Sequence, residues 1–188
     1  MYRVVQGAKE YLPVVFELEK KIFEPNLRAS DGVIEERFRR YPGLFLVKRN
    51  NEYVGYVSFA PIREEFVFNF KEEFKEGILP PSVISNDSPY FDSISMAVLE
   101  GHRRSDLLKQ GYSGKIPSQL MREYMAKRAL KEGRKFLTSI SESIYSYGMN
   151  TRFGYKIIGT VRLENNITAN LMFADLNDEL LRKIENYY

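Results

Sequence analysis

Cysteine does not occur among the 188 residues. That excludes disulfides, a thiolate nucleophile and any cysteine-ligated zinc site. A single histidine, His102, leaves no cluster of imidazoles for a metal and argues against a Ser-His-Asp triad. Long apolar runs are missing as well, since no stretch approaches the roughly 18 residues that cross a bilayer. The opening Met1–Gly7 lacks the pattern of a secretory signal. Internal repeats, linkers and low-complexity tracts are also absent. Together these absences predict a soluble, cytoplasmic chain with no membrane partner, folded as one domain over residues 1–188. Its chemistry must come from carboxylates, tyrosines, other hydroxyls or the backbone.

With 44% hydrophobic and 28% charged residues the composition is that of a folded domain, and the length supports a real core. Charge is unevenly placed. From His102 to Lys135 there are ten Lys and Arg against three Asp and Glu, a surplus of seven, on a chain whose net charge is only +3. A basic middle on an otherwise acidic chain suits a polyanionic ligand, or a solvated helix face.

Apolar spacing predicts a short strand at Arg3–Gln6 and a helix near Tyr11–Phe23 carrying Val15, Leu18 and Ile22. A second helix, capped by Ser30 or Asp31, ends at Tyr41-Pro42-Gly43. Leu44–Lys48 and Tyr53–Ala60 flank Asn50-Asn51, a centre that tolerates the positive φ of a tight hairpin. Pro61–Pro89 reads as an irregular insertion, in which Phe66, Phe68 and Phe70 alternate as in a strand; its role would be an acceptor lid or a plain edge. Further on come a helix over Pro117–Glu132 stopped by Gly133, a strand at Phe136–Ile140, a short helix or loop at Ser141–Asn150, and a strand at Tyr155–Leu163. A last strand, Ile167–Leu176, leads to a helix capped by Asn177. This order predicts an α/β or α+β fold: one mixed, mostly antiparallel sheet of about seven strands with helices on both faces.

Tyr90 to Met125 is the stretch around which the chain is organised. It reads as a strand, a polar loop and a helix that begins at Pro117, where the missing N–H costs nothing. Free N–H groups at such a helix start attract an anion, and Arg103, Arg104 and Lys115 lie close by in sequence. A phosphate-bearing ligand follows as the expectation.

Ser95–Arg103 together with Ser113–Met121 resembles the acetyl-CoA-binding motif of the GCN5-related N-acetyltransferase (GNAT) superfamily. Asn150–Gly159, with its Gly-Tyr-Lys-x-x-Gly core, is similar to a late segment of the same superfamily. The stretch from Arg103 to Gly114 is longer than that family's pyrophosphate loop, and Ile116-Pro117 stands where a second glycine would be.

The resemblance implies acetyl-CoA as cofactor and direct attack of a primary amine, from a small molecule or a peptide, on the thioester. It implies backbone contacts to the cofactor at Met96, Ala97 and Val98, phosphate contacts at Arg103, Gly114, Lys115, Ile116 and Ser118, and a cofactor contact at Asn150. Asp92 falls where histone acetyltransferases of the superfamily keep an amine-activating glutamate; a surface carboxylate is the other reading. The position four before the late glycine, often tyrosine in the family, is Asn150 here, so Tyr145 and Tyr147 stand as candidate acids for the leaving thiolate. A catalytically idle acyl-CoA sensor of the same fold is the first alternative. A nucleic-acid-binding module is the second, disfavoured because aromatic residues are not interleaved with the basic ones. The acceptor's identity and a homodimeric state are left open.

Overall fold

The computed structural model describes residues 1–74, 77–142, 144–163 and 166–186, without the side chains of Asn26, Ile144 and Tyr145. Strand β1 (Tyr2–Gln6) leads into α1 (Leu12–Ile22) and α2 (Asp31–Arg40), then the hairpin β2 (Leu44–Arg49) and β3 (Glu52–Pro61). Two short helices, α3 (Glu64–Phe68) and α4 (Phe70–Glu73), precede β4 (Tyr90–Val98), α5 (Arg104–Lys109) and α6 (Pro117–Lys131). Strand β5 (Phe136–Ser141), α7 (Ile144–Arg152), β6 (Lys156–Arg162), β7 (Thr168–Asp175) and α8 (Asp178–Glu185) complete the order.

Local signals set these boundaries. Asn50 takes φ 55° at the hairpin turn, and Gly133 takes φ 73° where α6 ends. The Ser30 hydroxyl accepts the Val33 N–H at the start of α2, and Asn177 Oδ1 accepts the Leu180 N–H at 2.8 Å at the start of α8. Sequence spacing alone did not separate α5 from its loop. Its one fully buried side chain, Leu107, is too little apolar surface to declare a helical stripe.

Seven strands form one sheet in the order β1-β2-β3-β4-β5-β7-β6. Every neighbouring pair is antiparallel except β4 and β5. On one face Met121, Met125, Ala126 and Ala129 of α6 and Leu180 and Ile184 of α8 join Phe59, Phe91 and Met172. Strand alternation sends the intervening residues to the other face, where Val15, Leu18 and Ile34 cover Leu46, Tyr56 and Ala97. The insertion covers β7 on that same face, placing Phe66, Phe70, Phe74 and Leu79 against Ala169 and Leu171.

The insertion corrects one expectation. Phe66, Phe68 and Phe70 lie in α3 and α4, not in a strand, so the period that matters is helical: Phe66, Phe70 and Phe74 are buried while Phe68 is 72% exposed. Residues 61–74 and 77–89 therefore form a packed layer on the sheet rather than an irregular excursion. Phe70 stacks on Phe74 with centroids 5.2 Å apart, and a Cβ at Gly159 of β6 would come within 3.0 Å of the Phe70 ring. Phe70→Ala is expected to destabilise the protein by about 3–5 kcal/mol, whereas Phe68→Ala changes stability by less than about 0.5 kcal/mol. Equilibrium denaturation of the two variants measures this difference; equal losses would contradict the helical packing.

Candidate active site

Strands β4 and β5 run side by side for only three residue pairs, Tyr90–Phe136, Phe91–Leu137 and Asp92–Thr138. Beyond Asp92, β4 stays with β3, while β5 continues along β7 as far as the pairing of Ser141 with Asn170. The cause is visible in the register. Ser58 faces Ser95 and Ala60 faces Asp92, so two steps on β3 correspond to three on β4. That extra residue is a bulge in β4, which bends the strand and increases its twist. A hydrogen bond of 3.1 Å from the Ser93 hydroxyl to that of Ser139 bridges the two strands just past their last pair.

Parity then decides which backbone groups face the opening. The Leu99 N–H bonds to the Val54 carbonyl at 2.9 Å, and the Tyr56–Ala97 pair lies two residues further along the ladder. Ala97 therefore turns its N–H and C=O to β3, and Met96 and Val98 turn theirs to the gap. Among the described residues the β4–β5 register ends at the Asp92–Thr138 pair, and residues 94–98 have no pair on β5. The Val98 carbonyl instead accepts Arg103 Nε at 3.2 Å.

Asp92 lies at the apex of the split with no solvent exposure. The bulge puts Asp92 and Ser95, three apart, on the same face, where regular alternation would have separated them. Thr138 donates its hydroxyl to Asp92 Oδ2 at 2.6 Å, while Oδ1 is enclosed without a partner. Burial pushes the carboxyl up to about 6, against the opposing effects of the Thr138 bond and the Arg37 charge. It is therefore not a surface carboxylate, the other reading the sequence allowed.

Around the start of α6 the expected phosphate contacts are spread out. Arg103 is the residue before α5, and Ile116 is the N-cap of α6 without a side-chain bond of its own. The N–H of Ser118, second in that helix, has no intrahelical acceptor. Gly114 packs against the Tyr112 ring, leaving no space for a Cβ. Lys115 Nζ is tied at 2.5 Å to Glu123, which also holds Lys127 at 2.6 Å.

Asn150, on α7, is fully buried. Its Nδ2 donates to the Ser141 hydroxyl at 2.8 Å, pinning α7 to β5 past the split, and Oδ1 has no protein partner. Tyr147 stands on the same helix and is 38% exposed. The Tyr145 side chain lies outside the described residues. Tyr155, fully buried, has its phenol pushed up to about 12 by burial.

Sequence reasoning missed a second set of polar groups on the face that carries Asp92. Glu19 of α1 is buried, accepts the Tyr56 hydroxyl in a short bond and accepts the Ser95 hydroxyl at 3.2 Å. Tyr56 and Ser95 lie 2.7 Å apart. Burial raises the Glu19 carboxyl above its usual range, with the two hydroxyls acting against it. Arg37 of α2 is brought down to about 10 by burial; its Nε donates at 3.0 Å to the Leu79 carbonyl of the insertion. These groups and Ser58 line a small pocket closed by Val15 and Ile34. One signal was available in the sequence: Glu19 interrupts the apolar stripe of α1 next to Leu18, a position a purely solvated face would not bury.

A seven-stranded mixed sheet split between its parallel pair, with helices on both faces, is the acyl-CoA N-acyltransferase fold of the GNAT superfamily. The solved structures it resembles make the likeness specific. The GNAT-like decarboxylase GphF in complex with isobutyryl-CoA superposes with a TM-score of 0.70 at 14% identity, over 93% of this chain and all of that one. The ribosomal-protein-S18-alanine N-acetyltransferase of Escherichia coli gives 0.64 at 11% identity, over 94% and 95%. YncA of Salmonella typhimurium, described as a putative acetyltransferase with acetyl-CoA, gives 0.62 at 12% identity, over 94% and 95%. No protein-family model and no curated protein sequence matches the chain.

The buried Asp92 makes stability depend on pH. Because its folded value, about 6, lies above the ordinary 3.8, the native state holds the proton more tightly, and stability falls as pH rises between those values. The gap corresponds to about 3 kcal/mol. Asp92→Asn is expected to remove this part of the loss, so that wild type loses stability relative to the variant between pH 4 and pH 6.5. Chemical denaturation at several pH values reads it out, and parallel curves would refute it.

Proposed function

We propose that the protein is an acetyl-CoA-dependent N-acyltransferase acting on a primary amine of a small molecule or peptide in the cytoplasm. The observation that carries the reading is the split at the β4 bulge, which turns the backbone groups of Met96 and the N–H of Val98 to the gap, without a pair on β5, beside a buried carboxyl. Such groups suit the amides and carbonyls of a pantetheine arm, which extends a strand without a side-chain code. The unpartnered Asn150 Oδ1 is an acceptor suited to an amide N–H of the same arm.

A thioester bound there supplies an activated acyl carbon, whose bond to sulfur is exchanged for one to the amine nitrogen with release of the free thiol. The chain's own residues bind, orient and handle protons. Met96 and Val98 would align the arm in the plane of the sheet, with Ala97 supporting them through its pairing to Tyr56. Arg103 and Lys115 would meet phosphate oxygens, aided by the backbone of Gly114 and Ile116 and by the free N–H of Ser118. For Lys115 this means exchanging Glu123 for phosphate, a change Lys127 eases by keeping Glu123 paired. Buried carboxyls on the α1 and α2 side of β4, Asp92 among them, have raised values suited to accepting a proton near neutrality. Tyr147, exposed on α7, is the candidate proton source for the departing thiolate, with Tyr145 as the alternative.

Titration with acetyl-CoA by calorimetry is expected to show one-to-one binding. Arg103→Ala and Lys115→Ala should each weaken it about tenfold, the loss of one charge-assisted contact. An absence of heat at millimolar acetyl-CoA refutes the reading. Thiol release measured against a panel of primary amines then separates transfer from mere cofactor binding.

A further inference from the structure

We infer that Glu19 is the group that takes the proton from the acceptor amine, through the Ser95 hydroxyl, and that the pocket between α1, α2 and the β3–β4 pair receives the acceptor's ammonium group. The inference rests on the acyl-transfer reading and adds to it the docking point and proton acceptor of the second substrate.

Three observations converge. Ser95 is where regular pairing with β3 resumes after the bulge, so its side chain lies beside the split on the α1 and α2 side. Its hydroxyl donates to Glu19 Oε1, which the Tyr56 hydroxyl also reaches, so one carboxylate oxygen collects both protons available on the two strands. The pocket in front of them has a free volume of about 10 Å³, the size of one water and hence of one ammonium head.

Charge makes the pocket selective. Glu19 is buried, yet among the described residues no ion pair reaches it. Arg37, the cation in the pocket wall, gives its Nε and a terminal nitrogen to the Leu79 carbonyl rather than to Glu19. A buried carboxylate held only by hydroxyls is costly until a cation joins it. A primary ammonium brings that cation with three donors, for which Glu19, Ser95 and Ser58 are the acceptors at hand. Asp92 does not line this pocket and has no opening to it.

The proton step balances on these atoms. The ammonium gives one proton to Ser95 Oγ as the serine proton passes to Glu19 Oε1, leaving a neutral amine with a free lone pair and a neutral carboxylic acid. The groups that face Glu19 and set its titration are Tyr56 from β3, Ser95 from β4, Arg37 from α2 and Arg28 between the two helices.

The test uses the amine that turns over fastest in a panel running from polyamines to peptides with free amino termini. Glu19→Gln keeps the side-chain shape and the Tyr56 bond. It is expected to leave acetyl-CoA affinity within about twofold, to lower kcat on the order of 100-fold and to abolish the acid-side fall of kcat with pH. Ser95→Ala should lower kcat while keeping that acid limb. Independently of turnover, the Glu19 carboxyl resonance in 13C-labelled protein should titrate above the ordinary glutamate range and move when the amine is added. An acid limb that survives in Glu19→Gln and vanishes in Asp92→Asn, or a Glu19 resonance indifferent to the amine, overturns the inference while leaving acyl transfer standing. Failure of the wild type to bind acetyl-CoA, or to acylate any amine in the panel, overturns both.

Discussion

One extra residue in β4 governs this molecule. Without the bulge opposite Ser58–Ala60, β4 would stay straight and continue its parallel ladder with β5, and the backbone groups that Met96 and Val98 turn to the gap would be consumed by pairing. The same irregularity turns Asp92 and Ser95 to a common face, so a single local distortion both opens the sheet and gathers the polar side chains beside the opening. The Ser93–Ser139 bond marks where the strands part, and the Asn150–Ser141 bond holds the far wall in place.

Buried polarity is the second constraint. Glu19, Arg37, Tyr56, Asp92 and Thr138 are all drawn under one sheet face, where each would be costly alone. Burial keeps the acids' values high against the hydroxyls that serve them, and a backbone carbonyl serves the guanidinium, which leaves the acids without direct ion pairs. On the opposite side α6 and α8 contribute an apolar layer and an ionic chain from Lys115 through the buried Glu123 and Lys127 to Glu185. The two faces thus differ in character, with buried acids under one and basic side chains along the helices of the other.

Much of this was legible in the residues. The hairpin at Asn50, the caps at Ser30 and Asn177, the stop at Gly133 and the Pro117 start follow from local stereochemistry, and they place most elements of the sheet. The stretch from Tyr90 to Met125 does read as strand, loop and helix, and its strand is the one that parts from β5. What stayed hidden depends on tertiary register. Period-two spacing of Phe66, Phe68 and Phe70 reads as a strand until the surface of β7 selects Phe66, Phe70 and Phe74. The grouping of Glu19 with Tyr56 and Ser95 needs three distant segments to meet, and no spacing within any one of them foretells it.

The bond from Arg37 to the Leu79 carbonyl has a mechanical corollary. It clamps α2 to the backbone of the insertion, so that layer and the wall of the Glu19 pocket form one strut. Sequence drift in the segment around Leu79 then shifts the pocket wall at Arg37 without altering any residue of the pocket, a route by which descendants of this chain could change the shape of that cavity while the split strand stays untouched.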